Sequence, residues 1–439
     1  MNTKIISPGQ KLKELRKKYK IKQHEICGTQ ITRGMISMIE TDKAGLTKNT
    51  AILITENIKR LCEERNISCN VSLEYLLESE EEQAKKILKN FLELFSSQPE
   101  KIFSNSFQEE FGEIEKIINT YQLKDDKYTI YRTIGDIFKK SKEYYKAYSY
   151  YLRAFESCTN LFNDVRLIKL IVNIGFCCNH LKRFKETLEF NKLASIYMDD
   201  IPEDLNYKIK FNNLIALKNL KEYDLMLIEL NQLEITFQRK LNSERIEKVN
   251  VMILKANCLK EKKLYIEAIS AHRDVLTLAN SNIELQLVTL CNLIEIYIEL
   301  NDSSNLRKYL DRCIAHLIDY QLVNDKIYSS EIYNDIGLGY YTIHEFELSK
   351  LYFNKSVIEA KETKNANILL LALNKLLDIA ICANNLDEVE ELKMQTLEII
   401  SLKLLPSNNV LLIKILKYYN SIGRTQTVDD ILSFAESLF

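Results

Sequence analysis

The sequence predicts an all-α protein built from a small N-terminal helical bundle and a long array of helix pairs. Three observations predict it. The 439 residues hold only 10 Gly and 4 Pro, too little punctuation for strand-and-turn architectures. Apolar residues recur at three- and four-residue spacing along most of the chain. A motif about 40 residues long then repeats from residue 128 onward. The length exceeds one ordinary core and fits several domains or an array.

The formal net charge of -1 conceals an asymmetry: residues 1–66 sum to +7 and the remainder to -8. A basic head on an acidic body points to an anionic partner for the head alone. The ten cysteines form no CxxC pair and no disulfide or zinc spacing, as expected of reduced, buried thiols. The start MNTKIISPGQ lacks the basic and apolar regions of a signal peptide, and no apolar run reaches the ~18 residues of a membrane span. We therefore expect a cytoplasmic protein.

In the head, Leu12, Leu15 and Tyr19 draw one apolar stripe on a first helix over 10–19. A short second helix spans 22–27 with Ile26 inward, and Gly28 and Thr29 break it. Thr32 then caps a third helix, Arg33 to Glu40, with Ile36 and Ile39 inward and Arg33, Gly34, Ser37 and Met38 outward. A fourth begins near Thr47 or Thr50 and carries Ile54, Ile58 and Leu61. Two short helices in a basic bundle are the elements of a helix-turn-helix, whose second helix enters the major groove.

The segments LKELRKKYKIKQHEI and ITRGMISMIE resemble the repressor-type helix-turn-helix of bacterial and phage regulators over about residues 8–66. The resemblance implies that Arg16 and Glu40 pair, that Gln23 holds a phosphate, and that Arg33 and Ser37 face the groove. Gln30, Thr32 and Lys43 complete the expected contacts to double-stranded DNA. Gly34 departs from the pattern and offers no side chain to a base. Lys11, Lys13, Lys17 and Lys18 are expected to be solvated or near phosphates.

Residues 67–127 read as a connection, with a linker helix from Ser79 carrying Ala84, Ile87, Leu88, Phe91 and Leu94. From 128 to 439 the chain reads as tetratricopeptide-like repeats. YRTIGDIFKKSKEYYKAYSYYLRAFE places Gly135, Ala147 and Ala154 where paired helices approach closely, and IVNIGFCCNHLKRFKE supplies Gly175. Further units carry Ala256, Tyr265 and Ala268, then Gly337, Tyr340, Phe346 and Phe353. Repeat starts fall near 128, 168, 207, 249, 287, 330, 370 and 409, at intervals of 38 to 43 residues. Such pairs stack into a right-handed superhelix whose first helices line a concave face.

On that inner stripe six consecutive repeats place Asn173, Asn212, Asn257, Asn292, Asn334 and Asn374. A carboxamide both donates and accepts, so a ladder of them can grip the backbone of an extended peptide without reading its side chains. An enzyme or metal reading has no such support: the histidines are scattered without metal-ligand spacing, and there is no glycine-rich phosphate loop and no nucleophile elbow. The 24 tyrosines fall mostly at packing positions. No enzyme, cofactor or metal is expected.

A repressor-type head followed by repeats of this length resembles the RRNPP group, the peptide-pheromone receptors of Gram-positive bacteria and their phages. The resemblance implies a homodimeric, cytoplasmic quorum-sensing regulator switched by a short linear signalling peptide. It also leaves an alternative, a repeat body that sequesters or dephosphorylates a response regulator.

Overall fold

The computed structural model describes residues 3–27, 30–158, 162–279, 282–324 and 326–436; the break expected at Gly28 and Thr29 lies outside them. The chain divides into two compact units, Met1–Leu220 and Lys221–Phe439. Among the described residues all regular structure is helical.

The first unit opens with α1 (Pro8–Lys18), α2 (Gln23–Ile26), α3 (Arg33–Glu40), α4 (Lys48–Glu64) and α5 (Leu73–Leu77). Then come α6 (Glu80–Ser97), a 3-10 turn at Pro99–Phe103, α7 (Phe107–Thr120), α8 (Lys124–Lys140) and α9 (Tyr144–Glu156). It closes with α10 (Val165–His180), α11 (Phe184–Tyr197) and α12 (Glu203–Leu220). The second unit holds α13 (Tyr223–Thr236), α14 (Gln238–Ser243), α15 (Arg245–Glu261), α16 (Tyr265–Leu278), α17 (Ile283–Glu299) and α18 (Ser303–Tyr320). It ends with α19 (Ser329–Thr342), α20 (Phe346–Glu362), α21 (Ala366–Cys382), α22 (Leu386–Ser401), α23 (Val410–Ser421) and α24 (Thr425–Glu436).

The head forms as its sequence dictates. Thr32 and Thr47 accept from the amides of Met35 and Thr50 and so cap α3 and α4. Leu12, Leu15, Ile26, Ile36, Ile39, Ile54 and Ile58 form one buried core. One expectation fails: Lys11 is not solvated but 1% exposed. Its ammonium donates to the carbonyls of Tyr75 and Glu78 at 3.0 Å each and to the Glu78 carboxylate at 2.8 Å. It thereby satisfies the otherwise open C-terminal carbonyls of α5. Ser79 and Glu82 close a capping box on α6, and the Gln83 side-chain amide pairs with both backbone groups of Ile6. The N-terminal segment is thus fastened at two places, by Lys11 to the end of α5 and by Ile6 to α6.

Beyond the head, the register of the repeats is written in their turns. Lys142, Lys182, Lys221, Lys263, Asn301, His344, Asn384 and Gly423 each adopt a left-handed conformation, with φ between 53° and 71°. Each falls 14 residues after one of the eight expected repeat starts. Such a residue ends a helix by letting the next amide reach back to a free carbonyl, as Glu143 does to Phe138 at 2.9 Å. Seven residues before each turn comes the point where paired helices touch. A Cβ on Gly135 would lie 2.8 Å from Tyr151, and one on Gly337 would lie 2.8 Å from Phe353. The close approach excludes any larger residue there without movement. The sequence had not indicated α14, which is inserted between α13 and α15.

Candidate functional site

The chain carries two candidate sites. The first is the exposed side of α3. Arg16 binds Glu40 in a forked pair, Nε to Oε1 at 2.6 Å and Nη2 to Oε2 at 3.0 Å, while its Nη1 donates to the Ile21 carbonyl. The Gln23 amide donates to the same Glu40 carboxylate at 2.9 Å. Burial pushes the Glu40 carboxyl up, but the hydrogen bonds from Arg16 and Gln23 outweigh it and hold it below the usual carboxylate range. Three helices therefore meet on one carboxylate, and the start of α2 is locked to the end of α3. Asn57 of α4 donates to the Ile26 carbonyl at 2.9 Å and finishes α2 from the other side.

This frame leaves Gln30, Thr32, Arg33, Gly34 and Met38 exposed, with Ser37 half-buried and Lys43 exposed just beyond α3. The Thr32 hydroxyl is engaged as the cap, and Gln23 is half-buried against Glu40. Neither Arg33 nor Lys43 is held in an ion pair among the described residues. A Cβ on Gly34 would meet nothing closer than the Thr32 hydroxyl at 3.8 Å. The bundle itself does not require a glycine there.

The second set is the asparagine stripe, and the structure divides it. In the first unit the carboxamides are used by the fold. Asn173 accepts from Lys139 at 2.8 Å, and Asn212, 8% exposed, donates to the Val172 carbonyl at 3.1 Å. Asn212 thus ties α12 to α10. In the second unit Asn374 donates to Leu370 of its own helix at 2.8 Å. The remaining three differ. Asn257 Oδ1, Asn292 Nδ2 and Asn334 Oδ1 are buried atoms that lack a hydrogen-bond partner among the described residues.

Charged residues that sequence reasoning passed over accompany these three. Lys260, one turn after Asn257, forms an ion pair with Glu295, one turn after Asn292. Asp335 follows Asn334, whose Nδ2 donates to its Oδ1 at 3.3 Å. Burial, then the neighbouring charge of Glu295, pushes the Asp335 carboxyl up to about 8. Below the stripe lies His272, 0% exposed, with both ring nitrogens unpartnered among the described residues. Burial, then the Lys260 charge, lowers it to about 4, so the ring is neutral. The signal for His272 was in the sequence. It follows Ala256 by 16 residues, the spacing that separates Gly135 from Tyr151 and Gly337 from Phe353.

Among the described residues no group of His, Cys, Asp and Glu is arranged to hold a metal ion, and no helix is long and apolar enough to cross a membrane.

No protein-family model matches the chain, and no curated protein is significantly similar to it. Solved structures do resemble it. The apo form of RapI has 13% identity over 88% of this chain and 96% of its own, with a TM-score of 0.51. NprR in complex with its cognate peptide NprX has 16% identity over 81% of this chain and 99% of its own, at 0.44. Bacillus thuringiensis PlcR in complex with the peptide PapR7 and DNA has 11% identity over 62% and 94%, at 0.31. These structural neighbours are RRNPP-group proteins. At such identities the likeness to RapI shows a shared fold of tetratricopeptide-like helix pairs.

Proposed function

We propose that the protein is a cytoplasmic, homodimeric transcription regulator whose head binds DNA through α3 and whose repeats bind a short linear peptide that switches it. The observation that carries this reading is the trio of unpartnered amide atoms at Asn257, Asn292 and Asn334. A buried polar atom without a partner costs about 1–3 kcal/mol, so three on successive repeats form a row of vacant hydrogen-bonding positions. The peptide backbone offers alternating N–H and C=O groups that fit such a row. A shift from 1:99 to 99:1 between two states of the regulator needs ~5.5 kcal/mol of differential affinity, within reach of several such bonds plus apolar burial.

At the other end, exposed Arg33, half-buried Ser37 and exposed Lys43 stand on or beside a helix fixed by the Arg16–Glu40–Gln23 cluster. A rigid helix at the surface of a basic bundle suits the major groove.

The test has two arms. Peptides encoded by short reading frames beside the gene are titrated calorimetrically into the wild type and into Asn257→Ala, Asn292→Ala and Asn334→Ala. Unchanged affinity in all three variants rules out the row as the grip. Footprinting of DNA flanking the gene, with and without the peptide, reads the output; no protected site would remove the DNA-binding half of the proposal.

A further inference from the structure

Several buried phenols of this protein donate their protons to carboxylates that a cation also holds. Tyr131 donates to Glu115 at 2.6 Å, and Arg153, whose guanidinium lies 5.8 Å from the centre of the Tyr131 ring, donates to the same Glu115 oxygen at 3.0 Å. Tyr419 donates to Glu390 at 2.5 Å, and Lys393, 5.6 Å from the centre of the Tyr419 ring, pairs with that carboxylate. Phenol, cation and oxyanion thus recur as one arrangement in each unit of the chain. On α16, α17 and α18 the phenols and cations meet without an oxyanion from the chain. Tyr297 and Tyr309, both buried, stack with ring centres 5.2 Å apart and planes inclined by 18°. Arg273 donates to the Tyr309 oxygen through Nε at 3.2 Å and to the Tyr297 oxygen through Nη2 at 3.3 Å. Arg312, one turn after Tyr309, sets its guanidinium 5.5 Å from the centre of the Tyr309 ring. Both arginines are exposed, and among the described residues neither forms an ion pair and neither phenol donates to a carboxylate. Asp311, beside Arg312 in sequence, pairs instead with Arg307 at 3.4 Å.

We infer that Arg273, Arg312, Tyr297 and Tyr309 form a binding site for a phosphate monoester supplied from outside the chain. In the two complete arrangements one cation faces one carboxylate. Here two guanidiniums converge on one tyrosine, and a dianionic phosphate monoester balances both charges where a carboxylate balances one. A guanidinium carries five N–H donors; Arg273 spends two on the phenols, and the others, with those of Arg312, match the oxygens of a phosphate. The phenols hold Arg273 before any ligand arrives, so less side-chain freedom is lost on binding. The chain beyond the head is acidic, -8 over residues 67–439, which repels an extended polyanion such as DNA and favours a single phosphate group. The site shares no residue with the asparagine stripe or with α3.

The experiment is calorimetric titration of the full-length protein at fixed ionic strength with inorganic phosphate, glucose 6-phosphate, a phosphoserine peptide, its unphosphorylated counterpart and malonate. The wild type is compared with Arg273→Gln, Arg312→Gln and Lys417→Gln, the last removing an exposed charge on α23. Melting temperatures verify folding, and Arg312, which hydrogen-bonds to no described residue, supplies a variant whose packing is undisturbed. The expected result is binding of a phosphate-bearing probe with Kd below about 1 mM. That affinity should fall by about tenfold or more in each arginine variant and hold in Lys417→Gln. Binding of glucose 6-phosphate identifies a free metabolite as the source, and binding of the phosphoserine peptide alone identifies a protein-borne phosphate; either sustains the site. Absence of binding by every phosphate probe, or affinity that survives in both arginine variants or falls equally in Lys417→Gln, overturns it. Malonate bound as tightly as the phosphate probes overturns the assignment to phosphate.

Discussion

A Cβ placed on Gly9 would lie 1.9 Å from the carbonyl oxygen of Ile39, so α1 meets the end of α3 backbone to backbone. No side chain relaxes to relieve that contact. Gly9→Ala should push α1 outward and destabilise the head by about 1–3 kcal/mol. Hydrogen exchange should show faster exchange in α1 and α3, with the second unit unaffected. Gly34→Ala is the internal contrast. With open space around it and a helix preference worth ~1 kcal/mol, that variant should be as stable as the wild type or more so.

Removing Arg16 leaves the Glu40 carboxylate, 3% exposed, with the Gln23 amide as its remaining hydrogen-bond donor. Breaking a buried pair in this way costs about 3–5 kcal/mol, so Arg16→Ala should open the head to limited proteolysis at temperatures the wild type withstands. The sign with pH follows from the depressed Glu40 carboxyl. Its stabilisation is present above the unfolded value of 4.5 and is lost as pH falls through the lower folded value. In Arg16→Ala that acid dependence should flatten.

Salt dependence separates lysines and arginines that look alike in sequence. If α3 lies in the groove, Arg33→Ala or Lys43→Ala should each reduce the slope of log affinity against log salt by about 1 wherever the residue meets a phosphate. Lys11→Met should leave that slope unchanged, because its ammonium is spent on Tyr75 and Glu78. Its effect should appear as lower head stability.

His272 stands where another repeat has Phe353, and both its nitrogens are unpartnered among the described residues. His272→Phe should raise the melting temperature of the second unit, since an unmade buried hydrogen bond costs about 1–3 kcal/mol. The folded value near 4 lies below the unfolded 6.5, so the unfolded chain binds the extra proton between them. Wild-type stability should therefore fall as pH drops from 6.5 toward 4, by roughly 3 kcal/mol in all. The phenylalanine variant should lose that slope.

Asp335 acts in the opposite direction. A carboxyl raised to about 8 favours the protonated folded state, so stability declines as pH climbs from 3.8 through 8. Asp335→Asn should gain more melting temperature over the wild type at about pH 9 than at about pH 6. An equal gain at both would mean that the carboxyl titrates normally.

Local rules explain what was legible. The head helices were visible because capping hydroxyls and apolar spacing agree, as at Thr32 and Ile36. The repeats were visible because a left-handed turn at a fixed distance from a close helix contact constrains both positions, even where Leu214 or Leu377 replaces glycine. The misses arise where tertiary surroundings decide. Lys11 has the sequence context of a solvated lysine, and only the end of α5, more than sixty residues away, makes it a buried cap. Asn173 and Asn292 occupy the same position of the repeat frame, yet Lys139 engages the oxygen of the first and no described residue engages the buried Nδ2 of the second. Spacing identifies which face an amide occupies; what else has already bonded to it is a property of the fold.

The fastening of the N-terminal segment to α5 and α6 bears on how such a chain can be recombined. A chimera joined after residue 66 would separate Lys11 from the Tyr75 and Glu78 oxygens that hold it, and would leave Ile6 without the Gln83 amide. The segment to move intact, for an engineer transplanting this head, extends through α6 to about Ser97.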